Sequence, residues 1–255
     1  MLRKAPPPLA GSTAVVTGAG SGIGRGLAQR LSAHGCPVAI VDANADTLAE
    51  TAGLIEGPSL VRTLDVRDRQ GLLALAAEVR EWAPRPIGAV FNNAGVALSS
   101  SVAGASPEDD EWLLSINFDG VVHGVRAFLP VLLEQGSGAI VNLASMFGLV
   151  ASSPLNQASY CASKGGVVNL TRQLGAEWAR RGVRVNALAP GFFPSDMTTG
   201  IYEDEKAMKW VRRNAPLGRP GDVSELDGAL LLLASDAGSY IVGQTISVDG
   251  GWTVV

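Results

Sequence analysis

TGAGSGIG, residues 17–24, decides how the rest of the chain is read. It stands between a β-branched run, TAVVT (13–17), and a segment, IGRGLAQRLSAHG (23–35), whose apolar residues return every three or four positions. A glycine-rich turn that leaves a strand and opens a helix gathers backbone N–H groups and a helix N-terminus at one point, where a diphosphate can bind. Gly18, Gly22 and Gly24 follow a G-x-x-x-G-x-G spacing, with Ser21 and Ile23 completing the loop. This departs from the G-x-G-x-x-G fingerprint. A glycine-rich loop alone can be a mere turn, and its place between the first strand and the first helix is what favours dinucleotide binding.

Working outward, the same grammar repeats. PVAIVD (37–42), SLVRTLD (59–65), IGAVFN (87–92), GAIVNLA (138–144), VRVNALA (183–189) and QTISVD (244–249) read as further short strands. Segments such as DRQGLLALAAEVREWA (68–83) between them carry helical periodicity. Strand and helix in alternation predict an α/β fold of the Rossmann type, a doubly wound parallel sheet with helices on both faces. No linker, repeat or low-complexity run divides the 255 residues, so one domain is expected. Ligands of such sheets bind beyond the carboxyl ends of the strands, which makes the residues just after each strand the ones to read.

The second strand ends in Asp42, whose carboxylate can accept hydrogen bonds from the adenosine ribose; it could instead cap the helix opened by DANADTLAE (42–50). Asp42 would repel a 2′-phosphate, and neither Ser21 nor Ala43 offers a compensating cation, so NAD is expected rather than NADP. Asp65 and Val66 end the third strand, where a short acid and the next backbone amide can meet adenine. After the fourth, NNAG (92–95) supplies Asn92, Ala94 and Gly95 as a flat, small-residue contact, although Asn92 and Asn93 could equally serve only loop backbone groups. Ser145 follows the fifth strand, and Pro190, Gly191, Phe193 and Ser195 follow the sixth.

In ASYCASKGG (158–166), Tyr160 and Lys164 stand four apart and so share one face of a helix. A Y-x-x-x-K pair is common by chance, with a packed Tyr and a solvated Lys as its bland reading. Following four strand-end nucleotide signals, it points to acid/base chemistry. A phenol titrates near 10, and positive charge from Lys164 and an oxidised nicotinamide would favour the phenolate. Tyr160 could then exchange the proton of an alcohol while nicotinamide exchanges the hydride. Lys164 is long enough to hold the nicotinamide ribose as well, and Ser145 could hold the substrate oxygen as it gains alkoxide character.

Composition narrows the partners. A formal charge of −4 without a long basic tract offers no footprint for nucleic acid or an anionic membrane. No apolar run approaches the roughly 18 residues of a spanning helix, and the opening MLRKAPPPLAG has no apolar core, so a cytoplasmic protein is expected. Cys36 and Cys161 are too few for a disulfide framework. His34 and His123 are far apart in sequence, no cluster has metal-ligand spacing, and no metal is expected.

TGAGSGIG, NNAG, a strand-end Ser, YCASK and APGFF together make the chain resemble the short-chain dehydrogenase/reductase family over nearly its whole length. The resemblance implies that Ser145, Tyr160 and Lys164 are catalytic and that Asn117, in SINFDG (115–120), holds a water of the proton relay. By spacing alone Asn117 reads as a neutral mid-helix surface residue. The resemblance also implies seven strands, a substrate lid near 192–215 and a homotetramer. EDDE (108–111) is read as a helix start, with Ser106 as cap and Pro107 in the first turn, not as a ligand site. From Ser145 to Tyr160 the chain is longer than is usual in the family, so MFGLVASSPLNQA (146–158) is expected to carry a two-residue bulge beside the substrate.

The implied activity is NAD-linked interconversion of a secondary alcohol and a ketone, on a polyol, sugar acid or small hydroxyketone. A 3-oxoacyl-carrier-protein reductase is disfavoured by Asp42, and a silent dinucleotide-binding regulator by the intact Asn117, Ser145, Tyr160 and Lys164. Phe147, Asn156, Gln157, Phe193, Met197, Tyr202 and Trp210 are the candidate pocket walls, with core packing the alternative for each.

Overall fold

The computed structural model describes Leu9 and residues 11–255, so most of the opening MLRKAPPPLAG lies outside the described residues. Runs such as VAIV and AVVT have no polar alternation, which suits strands buried on both faces. They form β1 (Thr13–Thr17), β2 (Val38–Asp42), β3 (Ser59–Thr63), β4 (Ile87–Asn92), β5 (Gly138–Leu143), β6 (Val183–Pro190) and β7 (Thr245–Val248). The strands lie in the order β3-β2-β1-β4-β5-β6-β7, and every pair is parallel. All seven expected strands are present, with ends that differ by at most two residues.

Between them run α1 (Gly22–Ala33), α2 (Ala45–Ala52), α3 (Arg69–Trp82), α4 (Pro107–Leu114), α5 (Gly120–Gln135), α6 (Ala158–Trp178), α7 (Thr199–Glu203), α8 (Glu205–Asn214) and α9 (Asp227–Ala234). Their starts follow side-chain chemistry. Asn44 accepts from the N–H groups of Asp46 and Thr47 to cap α2, and Asp68 accepts from Gly71 at 2.9 Å to cap α3. Ser106 accepts from Asp109 at 3.0 Å. Pro107 then opens α4 and three acids face its N-terminal dipole.

Two apolar layers sandwich the sheet. Leu27, Leu31, Leu230 and Leu233 of α1 and α9 cover Val16, Ile40, Phe91 and Val141 on one side. Leu72, Val79, Phe128 and Leu132 of α3 and α5 cover Val15, Val41, Val90 and Ile140 on the other. Each such side chain contributes about 1.5–3 kcal/mol by leaving water. α4 and α5 are joined by a π-helical turn, Ser115–Asp119. The whole run Pro107–Gln135 is long and apolar enough to cross a membrane, contrary to the sequence expectation, but half of its most apolar window is buried inside the fold, as in a core helix.

The chain builds β1, β2 and β3 outward and then crosses to β4 on the other side of β1. The reversal opens a crevice beyond the carboxyl ends of β1 and β4. A separate aromatic cluster anchors the chain after β6. Phe192 meets Trp210 and Trp252 edge-on at 5.7 and 5.3 Å between centroids, and Trp210 meets Trp252 at 5.0 Å. Phe192 and Trp210 thereby seat segment 192–215 beside the crevice at two points.

Candidate active site

A cleft of about 420 Å³ occupies that crevice. At its floor Gly18 has φ +66°, and a Cβ there would stand 2.6 Å from the Ala94 Cα, so the first and fourth strand ends can touch only through glycine. Thr17 and Asn93 lock the two ends together. Thr17 Oγ1 accepts from the N–H groups of Asn93 and Ala94, and Asn93 Nδ2 donates to the carbonyls of Thr17 and Gly18, each at 3.0 Å. The backbone role foreseen for Asn93 is therefore the one it has, and it lines the cleft as well. Ser21 precedes α1 without a side-chain cap bond. The α1 N-terminus is thus not covered by its own cap.

Of the residues expected at the cofactor, Gly18, Ser21, Gly22, Ile23, Asp42, Asp65, Val66, Ala94, Gly95, Tyr160, Lys164, Pro190, Gly191, Phe193 and Ser195 line this one cleft. Gly24 does not; a Cβ there would overlap the Gly18 carbonyl oxygen, so its smallness closes the turn. Asn92 is corrected. It ends β4 in register with Asn142 of β5, is 3 % exposed, and donates to Asn142 Oδ1 at 2.9 Å, while Asn142 donates to Thr171. It belongs to an interior polar ladder.

Asp42 accepts from the Gly20 N–H at 2.8 Å and the Asn44 N–H at 2.9 Å. The capping role considered for it falls to Asn44, leaving Asp42 fixed at the cleft edge. Asp65 is paired with Arg67 at 2.6 Å, and that hydrogen bond holds its carboxyl below the usual range.

The catalytic candidates come from three elements. Ser145 follows β5; its Oγ accepts from the Phe147 N–H at 3.1 Å, which leaves its own O–H free to donate. Tyr160 lies in the first turn of α6. Burial pushes its phenol up, and a hydrogen bond with Ser145 pulls it down. Ser145 is the partner that lowers it, and Lys164 Nζ lies over the ring at 6.0 Å from its centroid. Lys164 donates to the Leu143 carbonyl at 2.8 Å, and burial pushes its ammonium down to about 8.

Asn117 is fully buried, contrary to the surface reading. It sits in the π turn, where its Oδ1 accepts from the Val96 N–H at 2.8 Å and its Nδ2 donates to the Val96 carbonyl and to Ser163 Oγ. The side chain clamps the loop after β4 onto α6 and does not line the cleft. Ser163, which carries that clamp, went unrecognised within YCASK; its signal is its place one residue before Lys164.

Among the pocket-wall candidates, Phe147, Gln157, Phe193 and Met197 line the cleft. Asn156 is exposed, and Trp210 is committed to the aromatic cluster. Tyr202 also lies outside the lining; its hydroxyl is enclosed without a partner and burial pushes it up to about 12. Met146, Leu155, Phe192 and Ile201 complete the wall and were not singled out from sequence. The segment expected to bulge runs as a 3-10 turn, Met146–Gly148, and then a closed turn in which Ser152 Oγ donates to the Leu155 carbonyl at 2.9 Å. It delivers Leu155 and Gln157 to the cleft.

The Lys164 ammonium predicts a pH effect on stability. Its cost is present in full below about pH 8, its folded value, and is relieved as pH rises from there toward the ordinary value of 10.5. Stability should rise with pH over that window by up to about 1.4 kcal/mol per unit from this group. The Cys36 thiol, raised from 9.0 by burial, opposes the trend above that pH. Urea unfolding at pH 8 and 9 should show the rise in the native protein and lose it in Lys164→Met; an equal slope in both would refute it.

A parallel sheet with a glycine-built dinucleotide cradle at its switch point, and a Ser–Tyr–Lys group lining the same cleft, defines a nicotinamide-dinucleotide oxidoreductase. The model of a family described as "Enoyl-(Acyl carrier protein) reductase" (adh_short_C2) matches residues 18–253. The chain is 41 % identical to galactitol 2-dehydrogenase (L-tagatose-forming) of Cereibacter sphaeroides, over 96 % of each chain. It is 36 % identical to gluconate 5-dehydrogenase of Gluconobacter oxydans, again over 96 % of each. The crystal structure of a gluconate 5-dehydrogenase from Burkholderia cenocepacia, in complex with NADP and tartrate, superposes with a TM-score of 0.88 at 32 % identity and 96 % coverage of both chains.

The chain belongs to the short-chain dehydrogenase/reductase family. It is an alcohol/ketone oxidoreductase that acts on CH–OH groups with a nicotinamide dinucleotide.

Proposed function

We propose that the chain interconverts the secondary alcohol and ketone of a polyol, sugar acid or small hydroxyketone with NAD, using Tyr160 as general acid/base. The observation that carries the reading is the meeting of Ser145, Tyr160 and Lys164 in one cleft whose far end presents the Asp42 carboxylate. Relatives named for galactitol and gluconate support the substrate class.

When bound, the nicotinamide supplies the hydride acceptor or donor. Tyr160 takes the hydroxyl proton of the alcohol during oxidation and returns it to the carbonyl oxygen during reduction. Ser145, oriented by the Phe147 N–H, donates to the same oxygen as alkoxide character develops. Lys164 has spent one of its three donors on the Leu143 carbonyl, which leaves two for the ribose hydroxyls. Asn117 keeps α6 and the loop after β4 together, so that Lys164 and Gly95 stay adjacent. A Cβ on Gly95 would stand 3.2 Å from Lys164 Nζ and 3.3 Å from Asn117 Oδ1.

The preference for NAD rests on Asp42. Its oxygens are held by Gly20 and Asn44, while Arg25 is committed to the Gly20 carbonyl and to Glu50. A 2′-phosphate would meet a fixed negative charge. NADP in the Burkholderia structure is a property of that protein.

The chain is read as one domain with a lid over 192–215, working in the cytoplasm as a homotetramer. Absorbance of NADH should appear when NAD⁺ is mixed with the protein and a panel of polyols, sugar acids and hydroxyketones. Turnover confined to reduction of acyl β-keto thioesters at the expense of NADH or NADPH, or no turnover with any substrate, would refute the reading.

A further inference from the structure

We propose that the preferred substrate is a neutral polyol rather than a sugar acid, and that Gln157 selects it by pairing with a hydroxyl away from the reacting carbon. The inference rests on the reading above and deepens it.

Gln157 precedes α6 by one residue and lies three before Tyr160, so its position is tied to that of the acid/base. It lines the cleft. Its side chain does not cap the helix. Its Nε2 reaches Ser99 Oγ at 3.4 Å, and its Oε1 is shut off from solvent with no partner at all. An amide can be turned end for end, which gives the same count: one end toward Ser99 and one end unsatisfied. A buried amide end without a partner is costly. A substrate hydroxyl is both donor and acceptor and satisfies either end, whereas a carboxylate satisfies only the N–H end.

The charges around the cleft point the same way. Among the described residues that line it, Lys164 is the one cation. That ammonium is 4 % exposed and bonded to the Leu143 carbonyl, on the catalytic side of Tyr160. Among the described residues no Arg or His lines the cleft to hold a carboxylate, and the acid on the lid turn, Asp196, has the same sign as one. Met146, Phe147, Leu155 and Ile201 add apolar surface to the wall, and its other polar members near the lid turn, Ser195 and Thr198, are uncharged. Such a site accepts a neutral chain and gives a carboxylate no counter-charge.

The test is a comparison of kcat/KM for oxidation of hexitols and hexonates that differ in one terminal group: galactitol with D-galactonate, and D-glucitol with D-gluconate. Wild type and Gln157→Leu are assayed with NAD⁺, with cyclohexanol, an alcohol that has no second hydroxyl for the amide to pair with, and NADH affinity as references. In wild type the hexitol should exceed its hexonate by about tenfold or more. Gln157→Leu should lower kcat/KM for the hexitol by roughly 10- to 100-fold more than for cyclohexanol, with NADH affinity retained. Gln157→Arg should move the preference toward the hexonate. A wild type that favours the hexonates, or that oxidises cyclohexanol and none of the four, overturns the inference. So does a Gln157→Leu variant that loses hexitol and cyclohexanol activity alike. Failure with every alcohol and either coenzyme would instead remove the functional reading beneath it.

Discussion

Tyr160→Phe is expected to lower kcat by roughly 10²- to 10⁴-fold, the range that general acid/base help supplies. The change deletes one oxygen and keeps the ring, which packs, partly buried, against the apolar cluster that includes Phe147. The Lys164 ammonium keeps its place near that ring, because it is held by the Leu143 carbonyl. Affinity for NADH, read by fluorescence titration, should therefore hold while turnover collapses. The pH profile carries the sign. Alcohol oxidation needs the phenolate, and burial raises the Tyr160 phenol, so the wild-type oxidation rate should climb as pH rises into the alkaline range. Reduction needs the phenol and should fall in the same direction. Residual activity in Tyr160→Phe should lose both dependences. Retained turnover with an unchanged profile would remove Tyr160 from the chemistry.

Asp42→Ala is expected to shift the ratio of kcat/KM for NAD over NADP by about 10²- to 10³-fold toward NADP. Two effects add. A hydrogen bond to a charged group contributes about 1.5–3 kcal/mol, and NAD loses it with the carboxylate. NADP gains relief from a like charge, an effect weakened by water at the cleft edge. Asp42 also anchors Gly20 and Asn44, so some loss of NAD affinity would follow from a loosened loop alone. Asp42→Asn separates the causes, because it keeps an acceptor and removes the charge. It should improve NADP use and retain much of the loop geometry. Equal or better kcat/KM with NADPH than with NADH in the wild type would contradict the role given to Asp42.

The parts legible in the sequence are those where a residue type has one backbone use. Gly18 and Gly24 announce the turn because no side chain fits there. Ser106, Pro107 and the acids after them announce α4 because each answers a free N–H group or the helix dipole. Asp42 was legible from its place at a strand end, but its competing role as a cap was not separable until Asn44 was seen accepting both N–H groups.

Other misreadings have physical causes. Asn92 and Asn93 are neighbours, and alternation along a strand sends neighbours to opposite sides. The sequence does not say which one faces the β5 asparagine. Asn117 looked exposed because helical spacing was assumed to be constant, and the π turn at Ser115–Asp119 rotates it inward. Trp210 had the size of a pocket wall, yet only the packed structure shows it set edge-on against Trp252 and Phe192. The charge inventory of the cleft was hidden for a related reason. It depends on which of the chain's cations the fold keeps out, and this chain keeps out all but Lys164 among the described lining residues.

The most direct test of the central claim is isotope transfer during ketone reduction. With NADH deuterated at nicotinamide C4 on the transferred face, the product alcohol should carry one deuterium at its carbinol carbon per turnover, by mass spectrometry, and Tyr160→Phe should form that product at a rate lower by orders of magnitude. A product alcohol without deuterium from either C4 face, or one formed as fast by Tyr160→Phe, would contradict hydride transfer at the Tyr160 site.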